Sequence, residues 1–136
     1  PQALTDLIGG QVDFMFDNIT SMANAARNGQ VRPLAVTSSK RSALLPDVLT
    51  LQEAGLKGFE VVAWGGFVAP AGTPRAVIDR LNREINAWLQ HPATQSEFAQ
   101  VGQTALGGSP EYFGAFIQSE VKKWAAVIKK IGIKID

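Results

Sequence analysis

Apolar residues recur at helical spacing from the start of the chain. Leu4, Leu7 and Ile8 share one face of residues 2–8, and Gly9-Gly10 stop the run. Residues 12–16, VDFMF, read as a short apolar strand. The stretch VDFMFDNITS then passes abruptly into an acid, an amide and two hydroxyls. Helical spacing resumes over residues 19–28 with Met22, Ala23 and Ala26 inward, and Asn28-Gly29 close it. A second strand over 32–37, within RPLAVTSS, again ends in hydroxyls. This helix–strand–helix–strand rhythm with glycine turns predicts an α/β fold, a parallel or mixed sheet with crossover helices.

The next stretch, residues 40–59, carries Pro46, Gly55 and Gly58 and a single helical turn near Leu51–Ala54, an excursion over the surface. Residues 60–69 predict a long strand broken by Gly65-Gly66, a mark of a bulge, a bend or close approach by another group. The remainder is mostly helical. Thr73 is a suitable N-cap with Pro74 at the first helical position of a helix over 74–89. Its stripe is Val77, Ile78, Leu81, Ile85, Trp88 and Leu89. A helix over 93–101 and a short strand over 104–106 follow. Ser109-Pro110-Glu111 opens the last helix, 110–131, and Gly132 ends it. Phe113, Phe116, Ile117, Val121, Trp124, Ile128 and Ile131 form its stripe, read as core-facing.

Composition narrows the chemistry. The 136 residues are 46% hydrophobic and 18% charged, a globular balance for one compact domain with a core. Thirteen basic residues are scattered among twelve acidic ones for a net charge of +1, so no basic face offers itself to nucleic acid. Lys122-Lys123 and Lys129-Lys130 read as a solvated helix face. The absence of cysteine removes disulfides, thiolate nucleophiles and Cys-ligated zinc. His91, the single histidine, stands in QHPAT and reads as a loop or cap residue. No run of about 18 apolar residues offers a membrane span. The opening PQALTDLIGG begins directly in helical pattern, which suggests a fragment or a processed piece.

Catalytic patterns fail on inventory. A strand-end aspartate suits phosphotransfer when a second carboxylate stands two residues on, but DNITS places Ile19 there. Neither G-x-S-x-G nor G-x-G-x-x-G occurs. The chain therefore reads as a non-enzyme with no cofactor and no metal. In open α/β sheets, ligands sit beyond the carboxyl ends of strands. The Asp17–Ser21 loop and the Thr37–Ser39 loop are then candidates to face one crevice. A helix N-terminus after Asn18 offers free N–H groups to a carboxylate or phosphate. The same residues equally suit plain helix capping, and their types alone do not choose.

Four stretches together carry a resemblance: ALTDLIGGQVDFMFDN, GQVRPLAVTSSKRSALLPDVLTLQEAG, WGGFVAPAGTPRAVIDRLNREIN and FIQSEVKKWAAVIKKIGIK. Their order and spacing closely resemble the substrate-binding proteins of tripartite tricarboxylate transporters, the Bug or TctC-type family, from Ala3 to about Lys134. Leu49 departs from the family, which usually has proline in PDVPT. The resemblance covers the C-terminal half of such a protein. It implies a type II periplasmic-binding-protein-like, venus-flytrap fold, incomplete here. Residues 1–60 would be the later part of the second lobe, 61–69 an interlobe crossing strand, and 70–136 the C-terminal helical part of the first lobe.

The resemblance further implies a periplasmic solute-binding receptor for a small organic carboxylate, working with membrane transporter subunits. Carried over, the ligand-binding share falls on Gln2 and Ala3, on Asp17, Asn18, Thr20 and Ser21, and on Thr37, with Trp64 and Gly65 near the hinge. Asp17 is expected to orient its loop by accepting backbone N–H groups, while Asn18, Thr20 and Ser21 face the ligand. A different class of reading is a truncated piece that binds nothing alone and self-associates, as a homo-oligomer, through exposed interlobe surface.

Overall fold

Helices form where glycine, proline and hydroxyl residues cap runs of good helix formers. The structure is a computed structural model that describes residues 2–133, so Pro1 and residues 134–136 of the expected segments lie outside the described residues. Its helices are α1 (Gln2–Ile8), α2 (Ile19–Arg27), α3 (Arg75–Gln90), α4 (Pro92–Gln100) and α5 (Pro110–Ile131). The last is capped as its sequence spells. Ser109 Oγ accepts the Tyr112 N–H at 3.1 Å, Pro110 opens the helix, Glu111 lies in the first turn and Gly132 turns left-handed at φ 70°. The ends of α1, α2 and α4 share one geometry. The Gln11 N–H reaches Asp6, the Gln30 N–H reaches Ala25 and the Gln103 N–H reaches Phe98, each closing a Schellman turn over the preceding glycine. Thr73 departs from expectation. Its hydroxyl donates back to the Pro70 carbonyl at 2.8 Å, and Pro74 occupies the cap position of α3 without a side-chain cap.

The expected strands are not formed among the described residues. What exists is one isolated parallel bridge, Val36 with Thr50. The Val36 N–H donates to Leu49 and the Leu51 N–H to Val36. Beside it the Val61 N–H donates to the Thr37 carbonyl at 3.0 Å. Residues 14–18, 59–70 and 103–109 are without assigned secondary structure. The physical reason is that a strand is a non-local object. Its N–H and C=O groups need a neighbour, and apolar composition cannot supply one.

The described residues group into two units. The first comprises residues up to Gly65 together with Pro92–Ala105, and the second comprises Gly66–His91 and residues from Leu106 onward. The block 92–105, which the sequence reading groups with the later segment, clusters with the earlier one. In the first unit the buried residues are small or polar: Ala23, Ala25, Thr50, Thr94 and Ala105. Ala25 joins the expected Ala23, while Met22 and Ala26 are half-buried.

In the second unit the expected apolar stripes divide. On α3, Ile78, Ile85 and Leu89 are half-buried, whereas Val77, Leu81 and Trp88 are exposed. On α5, Phe113, Phe116 and Ile117 are half-buried, but every residue from Val121 to Lys130 is exposed. The expectation that Val121, Trp124, Ile128 and Ile131 are buried in a core is thus corrected: Val121 and Ile131 are largely exposed, and Trp124 and Ile128 are about two-fifths exposed. Polar bonds do the joining instead. The Asn82 and Asn86 amides donate to the Gly108 carbonyl at 2.8 and 2.9 Å, and the Gly108 N–H donates back to Asn86 Oδ1 at 2.7 Å. Arg75 bridges Asp79 at 2.7 Å and Glu111 at 2.9 Å. The glycine pair at 65–66 also finds its reason here. A Cβ on Gly66 would stand 2.2 Å from Phe113 Cζ, so this glycine admits an aromatic ring, whereas Gly65 borders open space.

Candidate functional site

The start of α2 is built by its sequence. Asn18 sits at the cap position with extended backbone, φ −69° and ψ 139°, and its side chain makes no cap bond. Its carbonyl accepts the Ser21 and Met22 N–H groups. Asp17 Oδ1 accepts the Asn18 N–H at 2.7 Å, which fixes the turn into the helix. The two hydroxyls are already committed. Thr20 Oγ1 donates to the Val101 carbonyl at 3.0 Å, and Ser21 Oγ donates to the Asn18 carbonyl at 2.8 Å. Each hydroxyl has one proton to give. The donors left over among the described residues are the N–H groups of Ile19 and Thr20 and the Asn18 amide. They cluster at the positive end of a nine-residue helix, where an anion is favoured.

The remaining expected site residues stand in separate places. Gln2 and Ala3 are exposed on α1, and the Gln2 amide donates to Asp6 Oδ1 at 2.9 Å. Thr37 is half-buried directly after the Val36 bridge, and its hydroxyl makes no hydrogen bond among the described residues. Trp64 is exposed, and Gly65 is the last residue before the chain enters the second unit. No hydrogen bond joins Gln2, Asn18 and Thr37 to one another among the described residues. His91 is the C-cap of α3. Among the described residues no group of three or more His, Cys, Asp or Glu is placed to hold a metal ion, and no helix is long and apolar enough to cross a membrane. A shallow groove on α3 is lined by Ala76, Val77, Arg80, Leu81 and Glu84, side chains of one helix with no polar group converging from a second element.

One polar cluster escaped the sequence reading. Glu53 accepts from Arg41 Nε at 3.0 and 3.1 Å and from the Thr50 N–H at 2.8 Å. The Glu53 N–H donates to Thr50 Oγ1 at 3.0 Å. The Arg41 guanidinium, and then the Thr50 N–H, lower the Glu53 carboxyl from 4.5 to about 2. The signal was present: TLQE at 50–53 spells a reciprocal capping box.

Comparison with known proteins places the chain. A family model described as "Tripartite tricarboxylate transporter family receptor" matches residues 1–133. A UPF0065 protein from the tcbD-tcbE intergenic region of Pseudomonas sp. strain P51 is 43% identical over 93% of this chain. Protein BugT of Bordetella pertussis is 37% identical over 98%. The chain spans 38% and 41% of those two relatives' lengths. Among solved structures, the periplasmic binding protein BugD superposes with a TM-score of 0.82 at 40% identity, over 98% of this chain and 45% of its own. Rpa4515 of R. palustris with adipate gives 0.84 at 34% identity, over 96% of this chain and 44% of its own. MatC (Rpa3494) from Rhodopseudomonas palustris with bound malate gives 0.75 at 34% identity, over 93% of this chain and 44% of its own. These likenesses establish a periplasmic-binding-protein-like fold, and with its family model matched over residues 1–133 the chain belongs to the tripartite tricarboxylate transporter family of receptors.

Proposed function

We propose that this chain is the C-terminal half of a periplasmic solute-binding receptor for a small dicarboxylate, serving a tripartite tricarboxylate-type uptake system with its membrane subunits. It is a binding protein and not a catalyst. The observation that carries the reading is the cluster of uncommitted donors at the α2 N-terminus, Ile19 N–H, Thr20 N–H and the Asn18 amide, on a chain whose structural neighbours hold adipate and malate. A carboxylate oxygen accepts such N–H donors without needing a cation beside it. In this reading residues 1–60 belong to the second lobe together with 92–105, which cluster with them, 61–69 cross between lobes, and 70–91 and 106–136 belong to the first. Gln2 and the Ala3 backbone add polar groups from the start of α1, Thr37 adds a hydroxyl after the Val36 bridge, and Trp64 and Gly65 flank the hinge. In this reading the segments 12–16, 32–37 and 60–69 become strands of a sheet completed by the rest of the receptor. Titration calorimetry of the full-length gene product with malate and adipate tests the reading. Saturable binding of at least one supports it, and heat no different from dilution for both sinks it.

A second reading has its own observation. Phe14 and Phe16 stack edge to face at 6.4 Å yet are 69% and 74% exposed. Exposed apolar surface of that kind favours association. In this reading the 136-residue piece self-associates and binds no carboxylate. Light scattering coupled to size exclusion separates the two: a monomer at micromolar concentration removes the second.

A further inference from the structure

Residues 50–56 form a single helical turn capped at both ends. Thr50 and Glu53 exchange side-chain and backbone bonds at its start. At its end the Leu56 N–H reaches the Leu51 carbonyl at 2.9 Å, over Gly55 in the left-handed region at φ 107°. Thr50 is 2% exposed, so this turn is an anchored point. Two other parts of the chain fasten to it. Val36 bridges to Leu49 and Leu51 by backbone bonds of 2.8 and 2.9 Å. Arg41 grips Glu53 through Nε and a second guanidinium nitrogen at 3.0 Å, and its other arm donates to the Pro46 carbonyl at 3.3 Å.

The chain from Val36 to Arg41 is thereby held at both ends, and only the loop Thr37-Ser38-Ser39-Lys40 lies between. Inside it, Ser38 Oγ donates to the Lys40 carbonyl at 2.7 Å and the Ser39 N–H donates to Glu60 at 3.3 Å. We infer that Arg41 and Glu53 are positioning residues, a clasp that holds the Thr37–Lys40 loop in one conformation so that the Thr37 hydroxyl is presented ready-made to the carboxylate. The inference rests on the proposed receptor reading for its ligand but not for the clasp itself. Both side chains are about two-fifths exposed, at 40% and 43%, where an ion pair contributes little to global stability. Its work is local order, because a loop ordered beforehand does not lose that freedom on binding.

The test uses Glu53→Gln, Arg41→Met and Arg41→Lys in two measurements. In this chain, amide hydrogen exchange at Ser39 and Val61, whose N–H groups fasten the loop, is expected to quicken about tenfold in Glu53→Gln and Arg41→Met, with α2 and α4 unchanged. Arg41→Lys keeps the charge but loses the fork and is expected to fall between. Unchanged exchange at Ser39 and Val61, or equal acceleration throughout the unit, overturns the clasp. In the full-length gene product, malate or adipate affinity is expected to weaken about three- to tenfold while the ligand-free melting temperature stays put. Unchanged affinity beside a loosened loop overturns the link to binding. Wild type that binds neither ligand defeats the receptor reading alone, and the exchange measurement still decides the clasp.

Discussion

Thr20 Oγ1 donates to the Val101 carbonyl at 3.0 Å, a bond between residues 81 positions apart that ties the start of α2 to the turn after α4. The Thr20 N–H stays among the donors proposed for the ligand, while this bond gives the Thr20 hydroxyl a structural partner. The sequence offered it as a ligand contact, and the geometry spends its proton on tertiary structure. Thr20→Val is therefore expected to cost about 0.5–1.5 kcal/mol in urea melts. Thr20→Ser should recover most of that loss. A Val variant as stable as wild type would show that the bond contributes nothing.

Ligand affinity should follow the uncommitted donor. Asn18→Ala in the full-length receptor removes an amide donor from a charged ligand, a loss of about 1.5–3 kcal/mol. At 1.4 kcal/mol per decade, this is roughly ten- to a hundredfold in Kd. Ser21→Ala, whose hydroxyl serves the Asn18 carbonyl, should stay within about twofold, since it gives up no ligand donor. Calorimetric titration with malate decides, and the reverse ranking would move the site away from the cap.

Glu53 sets an acid limit. Its carboxyl is held at about 2 by Arg41 and the Thr50 N–H, against 4.5 when unperturbed, and Asp47 adds negative charge on the Arg41 side. A lowered folded pKa contributes stability that is complete above 4.5 and is lost as pH falls from there towards 2. The gap in amide exchange rate at Val61, whose N–H donates to the Thr37 carbonyl, between wild type and Glu53→Gln should be constant from pH 7 to 5 and then close. A gap that persists at pH 2.5 would disprove the assignment.

Gly66 and Phe113 should behave as a coupled pair. The Cβ of Gly66→Ala would meet the ring at 2.2 Å, so the substitution is expected to cost about 1–3 kcal/mol by overpacking. In Gly66→Ala/Phe113→Ala that clash is gone, and the double variant should be more stable than the sum of the two singles predicts. Strict additivity in denaturant melts would mean that the two never touch.

Trp124 is 39% exposed, and its indole N–H donates to Glu120 at 3.1 Å. In this chain Trp124→Ala should cost less than about 1 kcal/mol, well below the 3–5 kcal/mol of a fully buried tryptophan. A urea series on the 136-residue chain measures it. A loss above about 2 kcal/mol would place the indole in a core after all.

What could be read from the sequence was local. Ser109, Pro110 and Gly132 bound α5 where their side-chain chemistry says they must, and Gly9-Gly10 end α1 for the same reason. Such signals act within a few residues, so no partner needs to be known. The strands over 12–16 and 60–69 were not decidable in that way, because pairing depends on distant chain. The α5 stripe shows the same limit. Periodicity identifies which residues share a face but not how far anything covers it, and none of Val121 to Lys130 is buried. The hydroxyls of Thr20 and Ser21 were legible as polar groups near a helix start, whereas the direction of their protons was fixed by Val101 and Asn18. The family was legible because four separate stretches had to agree at once.

The division of the chain into units bears on how it is made. The backbone leaves the first unit at Gly65, re-enters it at Pro92 and leaves again after Ala105. Neither unit is a single uninterrupted stretch, so no one cut of the gene yields either by itself. During synthesis, which proceeds at about 5–20 residues per second, the first unit stays unfinished until Ala105 has left the ribosome. By then α3 is already outside, waiting for α5. A nascent chain arrested near residue 92 would therefore present α1 and α2 without α4, and Thr20 without the carbonyl it needs.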